Sequence, residues 1–581
     1  MKGKIASGLV LTTLWVCALT LAFDVKLLKA SGTIYIRADG SVDPSTAPLQ
    51  RDGDVYTFTA NVFDSIVVER DNVIIDGAGC SLHGTPGMIG ISVQLRNNVT
   101  LRKMKIEGFQ FGILLGLSSN CHIFTNSVTG SFDVGIRVLE CSENSVCENN
   151  VTRNDCGIFL SGGSQNHVCQ NNVTGNNQYG IGLYDSLNNT VSENSITVNK
   201  VHGIWVSGDS SNNTVFRNSI ETNMWGVWLG SSPNNTLSGN SITDNDEGIV
   251  VHASSNNIVS ENNITTSNNQ GISLVSAHQN EISQNVIGNN SLGIGSSESQ
   301  GNLMHNNILS SNGVGIRLTN SNSTELRSNV VTESESIGVR IESVGGAVCS
   351  FDNILTENLI SFTKDTGFVM NYSLATTIYH NNFIENTNHA HIELSAGASN
   401  VWDDGYPSGG NYWDDYNDPD NYWGEHQDFN GSDMIGDVPY AIDEDNTDRY
   451  PLLTPWPTNH WAFEKCLLVA ISNSTIMNFN FDQQIGEISF NVTADTSDVC
   501  KVIISKWLLD GAFNLFIDNV PATCSISWSP NYYLMNFTYS QGLHTVQIVG
   551  ESVLRGDLDG DRYIGIKDLY LVASHFGESC P

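Results

Sequence analysis

Basic residues are what this 581-residue chain has least of: Lys and Arg number 26 against 61 Asp and Glu, a net charge of −35. Only 15% of residues are charged, against roughly 25% in an ordinary globular chain, so the imbalance is a shortage of bases rather than a flood of acids. A surface this poor in positive charge repels phosphate backbones and anionic headgroups, which argues against nucleic-acid and membrane-surface partners. A second long apolar run is also missing. Lys2 and Lys4 precede the uncharged stretch Ile5 to Phe23, which reads as an export signal or an N-terminal anchor within residues 1–30. Nothing after it spans a bilayer, so the rest of the chain is expected outside the membrane. The 12 cysteines fit no zinc spacing, and 40% hydrophobic residues rule out disorder throughout.

What the chain has in abundance is a repeat. A Gly-Ile/Val phrase returns at Gly90, Gly112, Gly135 and onward to Gly338 in steps of 22 or 23 residues, with a stretched copy at Gly367. Within a unit the phrase Gly180-Ile-Gly-Leu-Tyr184 is followed by a polar turn, Asn189-Thr-Val-Ser192, and Asn194-Ser-Ile-Thr197. Short alternating segments between turn residues predict three strands per unit and no helices. Three such strands bury nothing alone, so units must stack, and parallel stacking gives a β-helix. About a dozen coils at roughly 4.8 Å each make a rod of roughly 55 to 60 Å. A second period supports this: Asn149, Asn171, Asn194, Asn218 and their successors to Asn329 recur once per unit before the third strand. Asn suits such a ladder because stacked amides bond coil to coil and because Asn tolerates left-handed turns.

The expected class is therefore all-β: a parallel β-helix over residues 85–400 behind an N-terminal cap (31–84). Sequons from Asn98 to Asn536 make glycosylation of an exported chain an expectation. Cys141, Cys147, Cys156 and Cys169 are placed to pair across neighbouring coils, and Cys500 with Cys524; buried thiols are the alternative.

Strand alternation points positions one and three after each glycine inward and the position between them outward. That outward column contains Arg137, Phe159, Gly182, Trp205, Trp228 and Val250. Phe159, Trp205 and Trp228 form an aromatic stripe, with Tyr184, His252, Asp185 and Asp209 close by. Aromatic faces beside carboxylates suit sugar rings, so the stripe is expected to bind carbohydrate. Asp185 and Asp209, on adjacent coils, are the candidate acid and base of a glycoside hydrolase, although their offsets from the glycine differ by one residue, which argues that they face apart.

The cap phrase Ile74-Ile-Asp-Gly-Ala-Gly79, the repeat, and the later Gly410-Asn-Tyr-Trp-Asp-Asp-Tyr416, Ile435-Gly-Asp-Val-Pro-Tyr440 and Asp448-Arg-Tyr-Pro-Leu452 together resemble the NosD-type right-handed parallel β-helix proteins. These belong to the carbohydrate-binding and sugar-hydrolase (CASH) repeat group, whose members are common among archaeal surface and secreted proteins. The resemblance covers about residues 32 to 457 and implies fold more than activity. The Asn-Thr-Asp motif of polygalacturonases occurs once, at Asn446 to Asp448, without that group's Gly-His-Gly or Arg-Ile-Lys. The NosD name also implies copper, yet His167, His202, His252, His278 and His305 share no ladder, which argues against copper delivery.

Beyond the repeats, residues 401–457 turn rich in Trp, Tyr, Asp and Asn and are expected to cap the rod. Asp428 to Asp437 resembles a degenerate calcium loop, with plain acidic turns as the alternative. Residues 460–550 carry longer alternating strands, expected as an antiparallel β-sandwich. Residues 553–581 resemble half of a type I dockerin: Asp557, Asp559, Asp561, Tyr563 and Asp568 stand at calcium-ligand positions of an EF-hand-like loop followed by an amphipathic helix. Arg562 replaces the usual glycine, and no second loop-helix follows. Calcium is thus the expected cofactor, a cohesin-like or envelope protein a candidate partner of this module, and a surface glycan the partner of the rod. A secreted or surface-attached binding or adhesion protein is the expected function, with a polysaccharide hydrolase or lyase, a structural envelope protein and a copper-accessory protein as alternatives.

Overall fold

The computed structural model describes residues 32–345, 350–394, 400–456, 460–462, 468–472, 475–482, 485–494, 498–505, 509–528 and 532–552. Its main body is a parallel β-solenoid of about 15 turns, whose three faces are sheets of 17, 15 and 16 strands. Each coil supplies one long strand, such as Tyr179–Tyr184, and two short ones, such as Thr190–Ser192 and Ser195–Thr197. Equivalent residues stack in register, as in the run Ile158, Ile181, Ile204, Val227, Ile249, all fully buried. With Val and Ile at the inward sites of the short strands, these rows merge into one core reaching from Ile34 to Trp413. Each such side chain contributes about 1.5–3 kcal/mol of burial.

The solenoid is longer than the dozen coils read from the glycine phrase, because both flanks coil as well. Ile34–Ile36 pairs in parallel with Ile66–Val68, which pairs with Ile89–Gln94. The antiparallel hairpin Leu49–Asp52 with Val55–Phe58 stands beside these first coils and leads into the second face. At the far end Thr366–Asn371 and Asn388–Leu394 extend the long-strand face, and Tyr412–Trp413 adds a last rung against Asn382–Ile384. Phe383, Trp413 and Tyr440 then stack at 4.3 Å spacings, closing the core with aromatic rings.

The asparagine ladder is present, and it is one of three. From Asn149 to Asn381 each Nδ2 donates to the next Oδ1 at 2.9–3.0 Å. A second row runs from Asn144 through Asn166, Asn189 and Asn213 to Asn302. A third passes through Asn154, Asn176, Asn199 and Asn223 to Asn245. One expectation about the first row needs correcting. The left-handed residue is not the ladder Asn but the one before it: Glu148, Gln170, Glu193 and Arg217 have φ between 53° and 59°. The ladder Asn earns its place through hydrogen bonding alone, being buried with every amide atom engaged.

Cys147 and Cys169, directly opposed on neighbouring coils, form a disulfide. Cys141 and Cys156 are buried thiols, and Cys500 is not joined to Cys524. The described residues between 460 and 552 form two five-stranded antiparallel sheets sharing one core that includes Ile488, Phe490, Val502 and Ile548. The expected calcium loop and helix, and the N-terminal signal or anchor, lie outside the described residues.

Candidate functional site

The long-strand face carries the aromatic residues. Register places Arg137, Phe159, Gly182, Trp205 and Trp228 in one column, as the alternation predicts. Tyr184 lies on Trp205, with centroids 6.0 Å apart and planes 19° from parallel. His252 lies on Trp228 at 5.7 Å and 23°. Phe159 lies 6.3 Å from Trp205. All five aromatic residues expected at the stripe are therefore gathered on one face.

Three more were missed. Tyr179, His202 and Trp225 precede the glycine of their coils and join the same strip: Tyr179 stacks on Trp205 at 5.5 Å, and His202 on Trp225 at 4.9 Å. Strict alternation would turn these residues inward. It fails because the glycine itself faces inward, so glycine and the residue after it are both buried. A Cβ at Gly203 would lie 2.6 Å from the Gly226 carbonyl oxygen and 2.7 Å from Ile220. The preceding residue is thereby turned to the surface, and the signal was available as a column of Tyr, His and Trp one place before the phrase.

Glycines also make room for the rings on the outer side. A Cβ on Gly182 would come within 2.8 Å of Tyr179 and 3.0 Å of Phe159, and one on Gly230 within 2.6 Å of the Trp228 indole nitrogen. The rings thus lean across the sheet and cover one another, each about half-buried. Burial holds the His202 imidazole neutral, its pKa pushed down to about 3. Carboxylates rim the strip. Burial raises Glu247 above the usual carboxylate range, opposed by a hydrogen bond from Asn269.

Asp185 and Asp209 occupy equivalent turns despite their different offsets from the glycine. Both sit in the turn after the long strand with left-handed φ of 49° and 56°. Their amides bond the next coil in the same way, to Ser207 O and Ser231 O. The extra residue, Gly208 at φ 70°, is absorbed as a local bulge. The Asp185 carboxyl is raised by burial and then by the charge of Asp209.

Asp448, of the lone Asn-Thr-Asp match, is fully buried in residues 400–456. In the Asp428 to Asp437 segment, the Asp433 carboxylate accepts the Ile435 N–H within its own turn, and the Asp437 carboxylate accepts the N–H groups of Asn421 and Tyr422 from an earlier loop. Asp557, Asp559, Asp561, Tyr563 and Asp568 lie outside the described residues.

The family model of the periplasmic copper-binding protein NosD matches residues 65–224, 219–314 and 270–418, more than half of the chain. This chain belongs to the NosD family. No curated protein matches it. Among solved structures it is similar to the periplasmic alginate epimerase AlgG, with 13% identity over 64% of this chain and 84% of that one, TM-score 0.28. The A-module of Azotobacter vinelandii mannuronan C-5 epimerase AlgE6 is 13% identical over 58% and 89%, TM-score 0.29. The tailspike of E. coli bacteriophage HK620, solved with a pentasaccharide, is 10% identical over 84% and 86%, TM-score 0.35. At these scores the likeness carries no argument about activity.

Copper, which the NosD description names, can be weighed against the donors present. Copper(I) selects thiolate, thioether or clustered imidazole ligands. The one group of three His, Cys, Asp or Glu side chains with converging ligand atoms among the described residues is His389, Asp414 and Asp415. One imidazole and two carboxylates do not make a copper(I) site.

Proposed function

We propose that this NosD-family protein is an exported carbohydrate-binding protein of the cell surface or envelope, which holds a polysaccharide along the aromatic strip of its solenoid. The observation that carries this reading is the gathering of Phe159, Tyr179, Tyr184, Trp205, Trp225 and Trp228 with His202 and His252 on consecutive coils of one face. Coils repeat at about 4.8 Å, close to the length of a sugar unit, so a chain laid along the axis meets ring after ring. Sugar C–H faces pack on aromatic surface while their hydroxyls reach rim carboxylates and amides. The protein would be screened on a panel of neutral and acidic oligosaccharides, and any ligand found retested on Trp205→Ala and Trp228→Ala. Each substitution is expected to weaken binding tenfold or more; unchanged affinity in both would overturn the strip as the site.

A second reading, hydrolysis, is favoured by one observation: Asp185 and Asp209 occupy the same turn of successive coils, and burial first and the Asp209 charge second raise the Asp185 carboxyl. One carboxyl as acid and one as base or nucleophile is the minimum set for glycoside cleavage. Release of reducing ends from a bound polysaccharide, abolished by Asp185→Asn with binding kept, would support it. No products from any bound polysaccharide would leave binding alone. Calcium at Asp557, Asp559, Asp561 and Asp568, and docking of a cohesin-like or envelope protein there, stand as a separate proposal, tested by calcium calorimetry on the full chain with and without Asp559→Ala.

A further inference from the structure

At the C-terminal end of the long-strand face, several coils beyond Trp228, a cleft of about 510 Å³ opens between the last coil and residues 400–456, lined by Glu385, His389, Asp414, Asp415 and Tyr440 among others. His389 is buried at 8% exposure. Its Nε2 lies 2.8 Å from Asp414 Oδ1 and 3.5 Å from Asp415 Oδ1, and the three ligand atoms all fall within 4.8 Å of one another. We propose that His389, Asp414 and Asp415 bind a first-row divalent cation whose remaining coordination positions open into this cleft.

Three features carry the proposal. The 3.5 Å between His389 Nε2 and Asp415 Oδ1 matches the roughly 3.3–3.6 Å edge of a tetrahedral site with bonds of about 2.0–2.2 Å, and the 2.8 Å contact with Asp414 is a hydrogen bond that opens by about half an ångström to admit the ion. The carboxylates are already oriented, as second-shell groups usually do for metal ligands: the Glu385 amide donates to Asp414 Oδ2 at 2.6 Å, and the Tyr440 hydroxyl donates to Asp415 Oδ2 at 3.3 Å. The Asp-Asp pair sits on a rigid support, because the adjacent Trp413 is fully buried between Phe383 and Tyr440.

Asn386 Nδ2 donates to the Ile360 carbonyl at 2.9 Å and approaches His389 Nδ1 at 3.4 Å, so a neutral ring that accepts this contact carries its proton on Nε2, towards Asp414. A cation at Nε2 shifts that proton to Nδ1, at the cost of the long contact with Asn386. One nitrogen and two oxygens fit zinc, copper(II) or manganese(II). Calcium prefers an all-oxygen set of six to eight ligands, which a site built on an imidazole nitrogen does not offer. The usual order of divalent affinities predicts copper(II) tightest, then zinc, then manganese.

The test is calorimetric titration of the full chain with zinc, copper(II), manganese(II) and calcium. Asp415 is exposed, so Asp415→Asn is the clean variant, and His389→Gln is the second, with circular dichroism and melting as fold controls. Zinc is expected to bind the wild type at one site that weakens at least tenfold in Asp415→Asn, and excess calcium is expected not to displace it. Absence of zinc binding by the wild type, or equal zinc binding by wild type and Asp415→Asn, would overturn the site.

Discussion

The carboxylate of Asp448 ends the asparagine ladder. Its Oδ2 accepts Asn411 N at 2.7 Å and Asn411 Nδ2 at 3.3 Å, the same pair of bonds that each ladder Asn receives from the coil before it, as Asn218 Oδ1 does from Asn194. A terminating residue has no further coil to donate to, so a carboxyl can stand there in place of the amide. Trp413 Nε1 at 2.9 Å and Tyr450 N at 3.2 Å complete its shell.

Burial pushes the Asp448 pKa up to about 7, against hydrogen bonds that lower it. The folded state therefore keeps a proton that the unfolded chain, near 3.8, has released. Stability contributed here is greatest below about pH 4, falls as pH rises towards 7, and levels above it. At about 1.4 kcal/mol per pKa unit, the loss is several kcal/mol in order of magnitude. Fluorescence melts reporting Trp402 and Trp413 should show a lower Tm at pH 8 than at pH 5, and Asp448→Asn should flatten that slope. An unchanged slope in the variant would assign it to another group.

The inward glycine of each coil is the second test. In Gly203→Ala the new methyl meets the Gly226 carbonyl oxygen at 2.6 Å and Ile220 Cγ2 at 2.7 Å, with backbone on one side that cannot rotate away. Overpacking of this kind costs about 1–3 kcal/mol. Gly79→Ala is a contrasting control: nothing lies within 4 Å of its Cβ, and the cost there is that of its φ of 81°. Denaturant unfolding of Gly203→Ala should show a lower midpoint with an unchanged slope.

How much of this was legible beforehand follows from those same glycines. Their spacing reveals the coil, and the Asn149 to Asn329 row reveals one ladder, because both recur at a fixed period that no local propensity produces. The third ladder, Asn154 to Asn245, was a readable period that went unused; the second sat largely inside Asn-Asn pairs such as Asn188-Asn189, where one Asn is exposed at a left-handed φ of 54° and its neighbour is buried. Sequence does not tell the two apart. Phe159, Trp205 and Trp228 were readable because alternation holds after the glycine. Alternation misplaces Tyr179, His202 and Trp225, because it fails before the glycine, and only their shared place one residue ahead of it pointed to them. The cluster at His389 joins residues of the last coil to Asp414 and Asp415, a proximity that only the closing rung Tyr412–Trp413 creates.

His202 tests the packing of the strip. Its pKa of about 3 has burial as its cause, and Trp225, stacked at 4.9 Å, is a principal part of that cover. In Trp225→Ala the imidazole should titrate closer to its ordinary value near 6.5, as followed by NMR of the ring protons. In the wild type it should stay neutral from pH 5 to 8 and lend no pH dependence to ligand binding. A His202 that remains below pH 4 without Trp225 would place the burial elsewhere.

The ladder and its terminus make a paired prediction about one atom. Mid-ladder, Asn218 Nδ2 donates to the Val191 carbonyl at 3.0 Å and to Asn240 Oδ1 at 3.0 Å, so both neighbours there are acceptors. Asn218→Ala strands the Asn194 donors and those acceptors in the core, and losing several buried partners at once costs about 3–5 kcal/mol. Asn218→Asp keeps the acceptor for Asn194 but turns a second oxygen towards two other oxygens, in a site where a charge is poorly solvated. It should hold its proton, cost at least as much as alanine at pH 8, and recover part of that loss at pH 4. Asp448 meets the same burial cost in lesser degree, because Trp413 and Tyr450 offer N–H groups where Asn218 has carbonyls. Thermal melts of the two Asn218 variants at both pH values decide the matter: an Asp variant as stable as wild type at pH 8 would mean that the ladder does not need the amide donor.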